Sequence, residues 1–490
     1  MQPQIPRSNS GSEHFHLIPD SSNFLHKTAC EQVDALRSGE ISAIELLEQT
    51  IVHAEKLSPL INPIALTLYD RAREAAIRAD KLLKRGKGGP LCGLPITVKD
   101  SQWLAGYPCA NGSLSLKDFV PDQTCAAITR LENAGAVLFA KTTCPEFCVS
   151  GTNNSPLYGA TLNPWNLSKT PGGSSGGAAA SVAAGIGSLS LGGDGGGSIR
   201  IPAAFCGIVG FKPSHGRVQK SPGFPTWESL VSYGPMSRSV SDAKLMFDVL
   251  ADPPSEVHEQ NIFSASQSRI VVSEDLGFAP VDSDVRDVFR AAVEKISGGG
   301  ITTVYDSPGL GTSVVTWATV ATADMWKYKS GSLSPDNAES SLLGVYAKEF
   351  IKFGARFNTQ DIEDARANRT EIFEAYQALF KRNRARILIT PTLGREAFHH
   401  TLPFPQIIEE TPITYPWLDW AGFLYDANLV GMPACTIPMG LGDQNLPLGL
   451  QVMGLPGDDE FVLQVSAAIE SLLGWAHSPE PFADRSGQRE

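Results

Sequence analysis

The stretch PGGSSGGAAASVAAGIGSLSLGGDGGGSIRIP (residues 171–202) decides how this chain is interpreted. Its two clusters of glycine and serine enclose an alanine-rich helical segment and a short apolar run, which a flexible linker would not contain. Neither cluster is followed by the lysine and hydroxyl residue of a P-loop, and no G-x-G-x-x-G opens a helix after a strand here. The pattern therefore favours a catalytic site over a linker or a phosphate-binding loop.

The second cluster places three glycines directly before a serine. Gly195, Gly196 and Gly197 allow unusual backbone angles, so their N–H groups and that of Ser198 are able to point into one cavity. Such a set of donors is what an oxyanion hole requires. We therefore expect the Ser198 hydroxyl to attack a carbonyl group and these four N–H groups to bind the resulting oxyanion.

A serine nucleophile needs a group that removes its proton, and the usual partner is a histidine. His215 is the only histidine near the glycine clusters, and the surrounding PSHGR (213–217) has the composition of a loop. We interpret His215 as a structural or surface residue, so the base must be sought elsewhere.

The remaining candidates are two hydroxyls and one amine. Ser174 and Ser175 lie in the first cluster, and Lys99 follows the apolar run LPITV (94–98), which predicts a buried strand. A lysine acts as a base only when it is neutral, and burial against apolar walls favours that form. A buried salt bridge between Lys99 and Asp100 or another acidic residue is the alternative interpretation.

Several blocks of the chain, taken together, resemble the amidase signature family. The resemblance extends over roughly residues 25 to 475 and implies an amide-hydrolysing enzyme with an acyl-enzyme intermediate. The blocks that carry it are LCGLPITVKD (91–100), AGAVLFAKT (134–142), PEF (145–147), NPWNLSKTPGGSSGG (163–177), DGGGSIRIP (194–202), GFKP (210–213), GPM (234–236), GMPA (431–434) and PLGLQ (447–451).

The resemblance assigns roles to the candidate residues. It implies that Ser198 is the nucleophile and that Ser174 is a bridging serine, which follows a cis peptide bond from Gly173. Lys99 is then the base that draws the proton through Ser174, and Ser175 is a supporting hydrogen-bonding residue. All of these residues match the family's motif positions in this sequence.

Four further residues bear on the same segment. The resemblance implies that Asp194 and Arg200 brace the nucleophile's loop, whereas an ordinary surface-charge role is the alternative. Gly195 stands where the family often has threonine or isoleucine, and we expect this to leave room for a bulky acyl or carbamoyl group. Ile201 stands where the subunit of the glutamine amidotransferase that acts on misacylated transfer RNA usually has a glutamine, which disfavours that function.

Helical stretches alternate with short apolar runs, which predicts an α/β fold with a central mixed sheet sandwiched by helices. Ser42 and Glu45 form a capping-box pattern at a helix start. Further helices are predicted over about 69–85 and 461–473. The strands are predicted over 94–98, 136–139, 186–191, 208–211, 269–272, 386–389, 434–437 and 450–453.

The chain is predicted to form a single domain, because no low-complexity linker interrupts it. Residues 1–24 are expected to be a flexible tail, and 25–490 the amidase domain. Within that domain we expect a helical N-terminal segment (25–88), the signature core (about 90–250), a substrate-side insert (about 303–345) and a C-terminal part to 490.

Composition narrows the function classes. The 490 residues carry a formal charge of −12, which argues against nucleic acid or an anionic membrane as a partner. The eight scattered cysteines are interpreted as reduced thiols, and no metal or cofactor motif appears. No signal peptide or membrane-spanning run is found, so a cytoplasmic protein is expected, with homodimer formation left open.

The substrate is only weakly encoded. If the aromatic residues of the second half line a pocket, then aryl amides or anilides, oligomeric or cyclic amides and carbamates (urethanes) are favoured over small amides. An amidotransferase-type subunit that works with a partner is the alternative function. The aromatic residues in question are Trp227, Trp317, Trp326, Tyr415, Trp417, Trp420, Phe423 and Tyr425.

Overall fold

The structure, a computed structural model, describes residues 24–252, 263–264, 268–334, 336–413 and 419–476. Eleven strands form one large mixed sheet, and helices flank it. The α/β class and the central mixed sheet predicted from the alternating apolar runs are therefore confirmed.

The strands of this sheet are numbered in chain order. They are β1 (Ile64–Thr67), β2 (Pro95–Lys99), β3 (Val137–Thr142), β4 (Leu189–Asp194), β5 (Val209–Lys212), β6 (Ser232–Ser237), β7 (Arg269–Val272), β8 (Thr302–Tyr305), β9 (Ile387–Pro391), β10 (Ala434–Leu441) and β11 (Pro447–Met453). Across the sheet they follow the order β1, β3, β2, β4, β6, β5, β10, β11, β9, β7, β8. The central pairs from β4 to β9 are antiparallel, whereas β3–β2–β4 and β9–β7–β8 are parallel.

The helices pack against this sheet and against one another. Their bounds are α1 (Ala29–Ser38), α2 (Ala43–Ile61), α3 (Tyr69–Leu83), α4 (Ala126–Asn133), α5 (Gly176–Ala183), α6 (Arg200–Cys206), α7 (Val240–Leu250), α8 (Ser283–Gly298), α9 (Val314–Lys329), α10 (Val345–Gly354), α11 (Thr359–Asn383), α12 (Tyr425–Leu429) and α13 (Asp459–Leu473). Two pairs of two-residue strands, 154–155 with 159–160 and 407–408 with 411–412, lie outside the large sheet.

The predicted start of α2 is confirmed in detail. The Ser42 hydroxyl accepts a hydrogen bond from the Glu45 N–H at 3.2 Å, and the Glu45 carboxylate accepts one from the Ser42 N–H at 2.9 Å. Each bond satisfies an N–H group that the first helical turn leaves without a partner. The helices predicted over 69–85 and 461–473 also form, with ends shifted by about two residues.

Strand β4 lies three residues later than the predicted run 186–191. Gly192 and Gly193 continue the strand, although glycine is a poor strand former. A Cβ atom on Gly192 would lie 2.9 Å from Ile199 and from Met236, so only glycine allows these layers to pack so closely. As a consequence, β4 ends on Asp194, directly before the three glycines.

The two glycine and serine clusters become the turns that start α5 and α6. Strand β2 ends on Lys99 beside β4, so three chain segments converge at one edge of the sheet. The predicted tail 1–24 lies outside the described residues except for Phe24, where the 3-10 helix Phe24–His26 begins. In the described part of the chain, no helix has both the length and the apolar character needed to cross a bilayer.

Candidate active site

Lys99 and Ser174 meet in a buried position. Lys99 ends β2 with only 2% of its surface exposed, and its Nζ donates a hydrogen bond to the Ser174 Oγ at 2.7 Å. Ser198 lines the same cavity, which has a volume of about 90 Å³. The structure therefore brings together the three residues that the resemblance assigns to catalysis. We call this space the main cavity.

Asp100, the alternative partner expected for Lys99, is paired with other residues. One carboxylate oxygen of Asp100 lies 3.4 Å from the Lys141 Nζ, and the other accepts hydrogen bonds from the Tyr158 hydroxyl at 2.9 Å and the Gly112 N–H at 3.3 Å. Burial, together with the Asp100 charge, raises the pKa of Tyr158 above its ordinary value. Asp100 therefore forms its salt bridge with Lys141, and the predicted alternative, a salt bridge with Lys99, is wrong.

The first glycine and serine cluster holds Ser174 at the cavity wall. The peptide bond from Gly173 to Ser174 is cis, which confirms the expectation from the family resemblance. Gly173 packs so closely that a Cβ atom there would lie 2.4 Å from the Thr152 carbonyl oxygen. No larger residue fits at position 173 without moving this backbone.

Ser175 ties the two clusters together. Its hydroxyl donates to the Gly193 carbonyl and accepts from the Gly193 N–H, both at 3.2 Å, while its own N–H donates to the Ser198 carbonyl at 3.1 Å. These contacts fix the position of Ser198 relative to Ser174. They agree with the supporting role expected for Ser175.

Asp194 and Arg200 form a fully buried ion pair at 3.0 Å, so the surface-charge interpretation is wrong. The Asp194 carboxylate also accepts hydrogen bonds from the Gly197 N–H at 2.7 Å and from the Ile199 N–H at 3.2 Å. Burial alone would raise the pKa of Asp194, but the Arg200 guanidinium outweighs it and holds this pKa well below its ordinary value. The carboxylate stays ionised and closes the turn that carries Ser198.

The same hydrogen bond corrects the predicted set of oxyanion donors. The Gly197 N–H points to the Asp194 carboxylate and is not available to a substrate oxyanion. Gly197 itself has a strongly positive φ, +108°, a backbone conformation that favours glycine at this turn. Gly195, Gly196 and Ser198 remain as candidate donors.

The space expected above Gly195 is occupied. A Cβ atom on Gly195 would lie 2.6 Å from the Trp227 ring and 2.9 Å from Val231, and one on Gly196 would lie 2.5 Å from the Trp317 ring. The Trp317 indole N–H donates to the Gly195 carbonyl at 2.7 Å. The expectation that Gly195 leaves room for a bulky acyl or carbamoyl group is therefore wrong, because tryptophan rings fill that room.

Aromatic side chains form a second, narrower space beside Ser198, which we call the aromatic chamber. It has a volume of about 30 Å³, and its walls include Trp227, Trp317, Trp420 and Tyr425. Trp317 stacks on Tyr425 with ring centroids 4.7 Å apart, and Trp227 meets Trp317 edge to face at 5.9 Å. Trp227 also lines the main cavity, so it stands between the two spaces.

Two other predicted pocket residues, both among the described residues, do not line these spaces. Trp326 is 37% exposed on α9, and Phe423 is buried in the main core away from both linings. Tyr415 and Trp417 lie outside the described residues. His215 is exposed in a turn and does not line either space, which agrees with its interpretation as a surface residue.

Several residues of the site were given no role in the sequence analysis. Lys141 and Tyr158 surround Asp100, while Asn428 and Gln451 accept hydrogen bonds from Arg200 at 2.6 and 2.7 Å. They are separated from their partners by up to 251 residues. Such pairings follow from the sheet topology, which a local motif does not reveal. Among the described residues, no group of three or more His, Cys, Asp or Glu side chains is arranged to hold a metal ion.

Comparisons with known proteins identify the family of this chain. The family model described as Amidase matches residues 45–463. A glutamyl-tRNA(Gln) amidotransferase subunit of Synechococcus sp. (strain CC9902) is 33% identical over 93% of this chain and 96% of its own length. An acylamidase of Rhodococcus erythropolis is 30% identical over 92% of this chain and 96% of its own.

A solved structure of a bacterial aryl acylamidase of the amidase signature enzymes superposes with a TM-score of 0.83. It is 29% identical and covers 92% of this chain and 97% of the other. The matching fold, the family model and the two relatives all extend over nearly the whole length. The chain therefore belongs to the amidase signature family.

Proposed function

We propose that this protein hydrolyses the C–N bond of amides through an acyl-enzyme on Ser198. The observation that carries the proposal is the 2.7 Å hydrogen bond between the Lys99 Nζ and the Ser174 Oγ in the cavity that Ser198 lines. A neutral Lys99 takes the proton of Ser174, which in turn takes that of Ser198. The freed Ser198 oxygen then attacks the carbonyl carbon of the amide.

The backbone of the second cluster stabilises the charge that this attack creates. The N–H groups of Gly195, Gly196 and Ser198 bind the oxyanion, while Asp194 holds the turn through the Gly197 N–H. Loss of one such donor typically lowers kcat by about 10²- to 10³-fold. The proton stored on Lys99 returns through Ser174 to the leaving amine, and water then releases the acyl group from Ser198.

The proposed substrates are amides with aromatic or bulky apolar groups, and carbamates of the same kind. The main cavity that Ser198 lines supports this class, because four aromatic residues of its wall, Phe147, Phe224, Trp227 and Tyr233, offer apolar stacking surface. The names of the similar proteins, an acylamidase and an aryl acylamidase, point the same way. Aryl amides, anilides and aryl carbamates are therefore the first substrates to test.

The direct test is hydrolysis by the purified chain of a panel that contains acetamide, an acetanilide, a cyclic amide and an aryl carbamate. We expect the aromatic substrates to have the higher kcat/KM, and Ser198→Ala to abolish turnover. His215→Ala is the matched control, since His215 lies on the surface, and it should keep full activity. Wild-type rates equal to those of Ser198→Ala on every substrate would refute the proposal.

An amidotransferase-type subunit is the second candidate, because one such protein is 33% identical to this chain. In that case useful activity would require a partner protein. Ile201, in the position where such subunits usually carry a glutamine, argues against it. Glutamine hydrolysis that appears only after addition of a partner, without anilide hydrolysis by the chain alone, would favour this second function.

A further inference from the structure

Two cysteines that the proposed mechanism does not use lie beside the relay. Cys144 and Cys148 flank a single tight turn, which contains the 3-10 helix Glu146–Cys148. The Cys148 Sγ lies 3.2 Å, and the Cys144 Sγ 3.9 Å, from the same atom, the Asn111 Oδ1. Both sulfur atoms therefore lie against one oxygen atom, and each thiol shifts the pKa of the other.

Only one of these thiols is open to small molecules. Cys148 is partly exposed and lines both the main cavity and the aromatic chamber, whereas Cys144 is 1% exposed. A molecule that reaches Ser198 therefore also reaches the Cys148 sulfur. Cys144 does not line either space.

The surroundings of the two thiols shift their pKa values in opposite directions. The neighbouring Cys144 thiol is the largest cause that lowers the pKa of Cys148 to about 6. Burial and the neighbouring Cys148 raise the pKa of Cys144 well above its ordinary value. A thiolate attacks oxidants far faster than a thiol does, so Cys148 is the reactive member of the pair.

We propose that Cys148 and Cys144 are an oxidisable thiol pair in the active-site wall, which hydrogen peroxide converts to a disulfide. The Cys148 sulfur attacks one peroxide oxygen and the O–O bond breaks, which leaves a sulfenic acid and releases one water with the proton of Cys148. The Cys144 sulfur then attacks the Cys148 sulfur and the S–O bond breaks, which releases a second water with the proton of Cys144. The two thiols lose two electrons, and the peroxide gains them.

Closing this disulfide changes the site around the relay. Cys148 lines the main cavity together with Ser174 and Ser198, so a disulfide bond to Cys144 alters the wall beside the two serines. The backbone here has little freedom to compensate, since Phe147 and Cys148 both have positive φ angles, +50° and +60°. We expect amide hydrolysis to fall about tenfold or more, because small displacements of catalytic groups are costly. The oxidation itself does not depend on which amide is the substrate.

Cys30 provides a matched control inside the same chain. It is also partly exposed, but burial and the nearby Asp242 raise its pKa to about 12, so it remains a protonated thiol. Cys30 therefore tests whether exposure alone is enough for oxidation. We expect Cys30→Ser to react with peroxide as the wild-type protein does.

The test combines intact-protein mass spectrometry with peptide mapping after treatment of the reduced protein with a small excess of hydrogen peroxide. Wild type and Cys30→Ser should each lose 2 Da and yield a peptide linking residues 144 and 148. Cys144→Ser should instead accumulate a sulfenic acid at Cys148 that dimedone traps, and Cys148→Ser should form neither product. Activity, compared with each variant's own reduced form, should fall in wild type and return with dithiothreitol.

Two results would overturn the proposal. One is a wild-type protein that keeps both thiols free under peroxide, as read from the peptide map, while other cysteines oxidise. The other is oxidation of Cys144 at the same rate in Cys148→Ser as in wild type. Both are read on the protein's mass, so they are distinct from a failure of the proposed amidase activity.

Discussion

At the residue scale, the site depends on side chains that are absent as much as on those that are present. Gly195 and Gly196 lie under the rings of Trp227 and Trp317, and Gly173 lies against the Thr152 carbonyl. Each glycine lets the backbone approach a neighbour more closely than a Cβ atom would permit. The glycine clusters of the sequence therefore report close packing as well as backbone N–H donors.

This packing predicts that Gly195→Thr destabilises the protein. The new Cβ atom would clash with Trp227 and Val231, so the free energy of unfolding in urea should fall by about 1–3 kcal/mol. In the double variant Gly195→Thr/Trp227→Ala the opposing ring is absent. Trp227→Ala should therefore lower the free energy of unfolding less in the Gly195→Thr background than it does in the wild type. Gly298→Thr is the control, since nothing lies within 4 Å of a Cβ atom at that position. Unchanged stability in Gly195→Thr would mean that the rings do not occupy this space.

Asp100 carries a second prediction at the same scale. Asp100→Asn leaves Lys141 fully buried without its carboxylate, which should lower the free energy of unfolding by about 3–5 kcal/mol. Asp100→Asn/Lys141→Met should recover part of that loss. The exposed Asp118→Asn is the control and should cost less than about 1 kcal/mol. A similarly small effect of Asp100→Asn would contradict the pairing.

At the scale of elements, β2 and β4 deliver Lys99 and Asp194 to one edge of the sheet, and the turns before α5 and α6 deliver Ser174 and Ser198. A partly buried polar contact joins two helices elsewhere in the molecule. The Glu470 carboxylate of α13 accepts hydrogen bonds from the Val240 N–H at the start of α7, at 3.0 and 3.2 Å. This contact links the C-terminal helix to the signature core.

The burial of Glu470 predicts that the stability of the protein depends on pH. Burial raises the pKa of Glu470 to about 7 from an ordinary 4.5; the Val240 N–H partly opposes this, and Asp242 adds to it. The folded state therefore binds the proton of the Glu470 carboxyl group more tightly than the unfolded state does. The stability that this protonation contributes is fully present below pH 4.5 and is lost as the pH rises through 7. The free energy of unfolding of the wild type should therefore decrease between pH 5 and pH 8. In Glu470→Gln, which has no carboxylate at this position, the decrease should be smaller by about 1–3 kcal/mol. Equal pH dependence in the two proteins would contradict this assignment.

At the scale of the whole molecule, the features that depend on short stretches of sequence could be predicted. The capping box at Ser42, the strand that ends on Lys99 and the serine pair Ser174 and Ser198 all depend on short patterns. The filling of the space above Gly195 and Gly196 by aromatic rings could not be predicted. Trp227 and Trp317 reach this space from positions 32 and 122 residues after Gly195 in the chain. Likewise, nothing near Asp100 indicates that the buried Lys141 is its partner.

The central claim is that Lys99 and Ser174 activate Ser198. The most direct measurement is the rate at which a fluorophosphonate adds to the protein, followed by intact-protein mass spectrometry and mapping of the labelled peptide. Wild type should be labelled once, at Ser198, and Ser198→Ala not at all. Lys99→Ala should be labelled about 10²-fold or more slowly. Labelling of Lys99→Ala at the wild-type rate, or of wild type at another residue, would contradict the account.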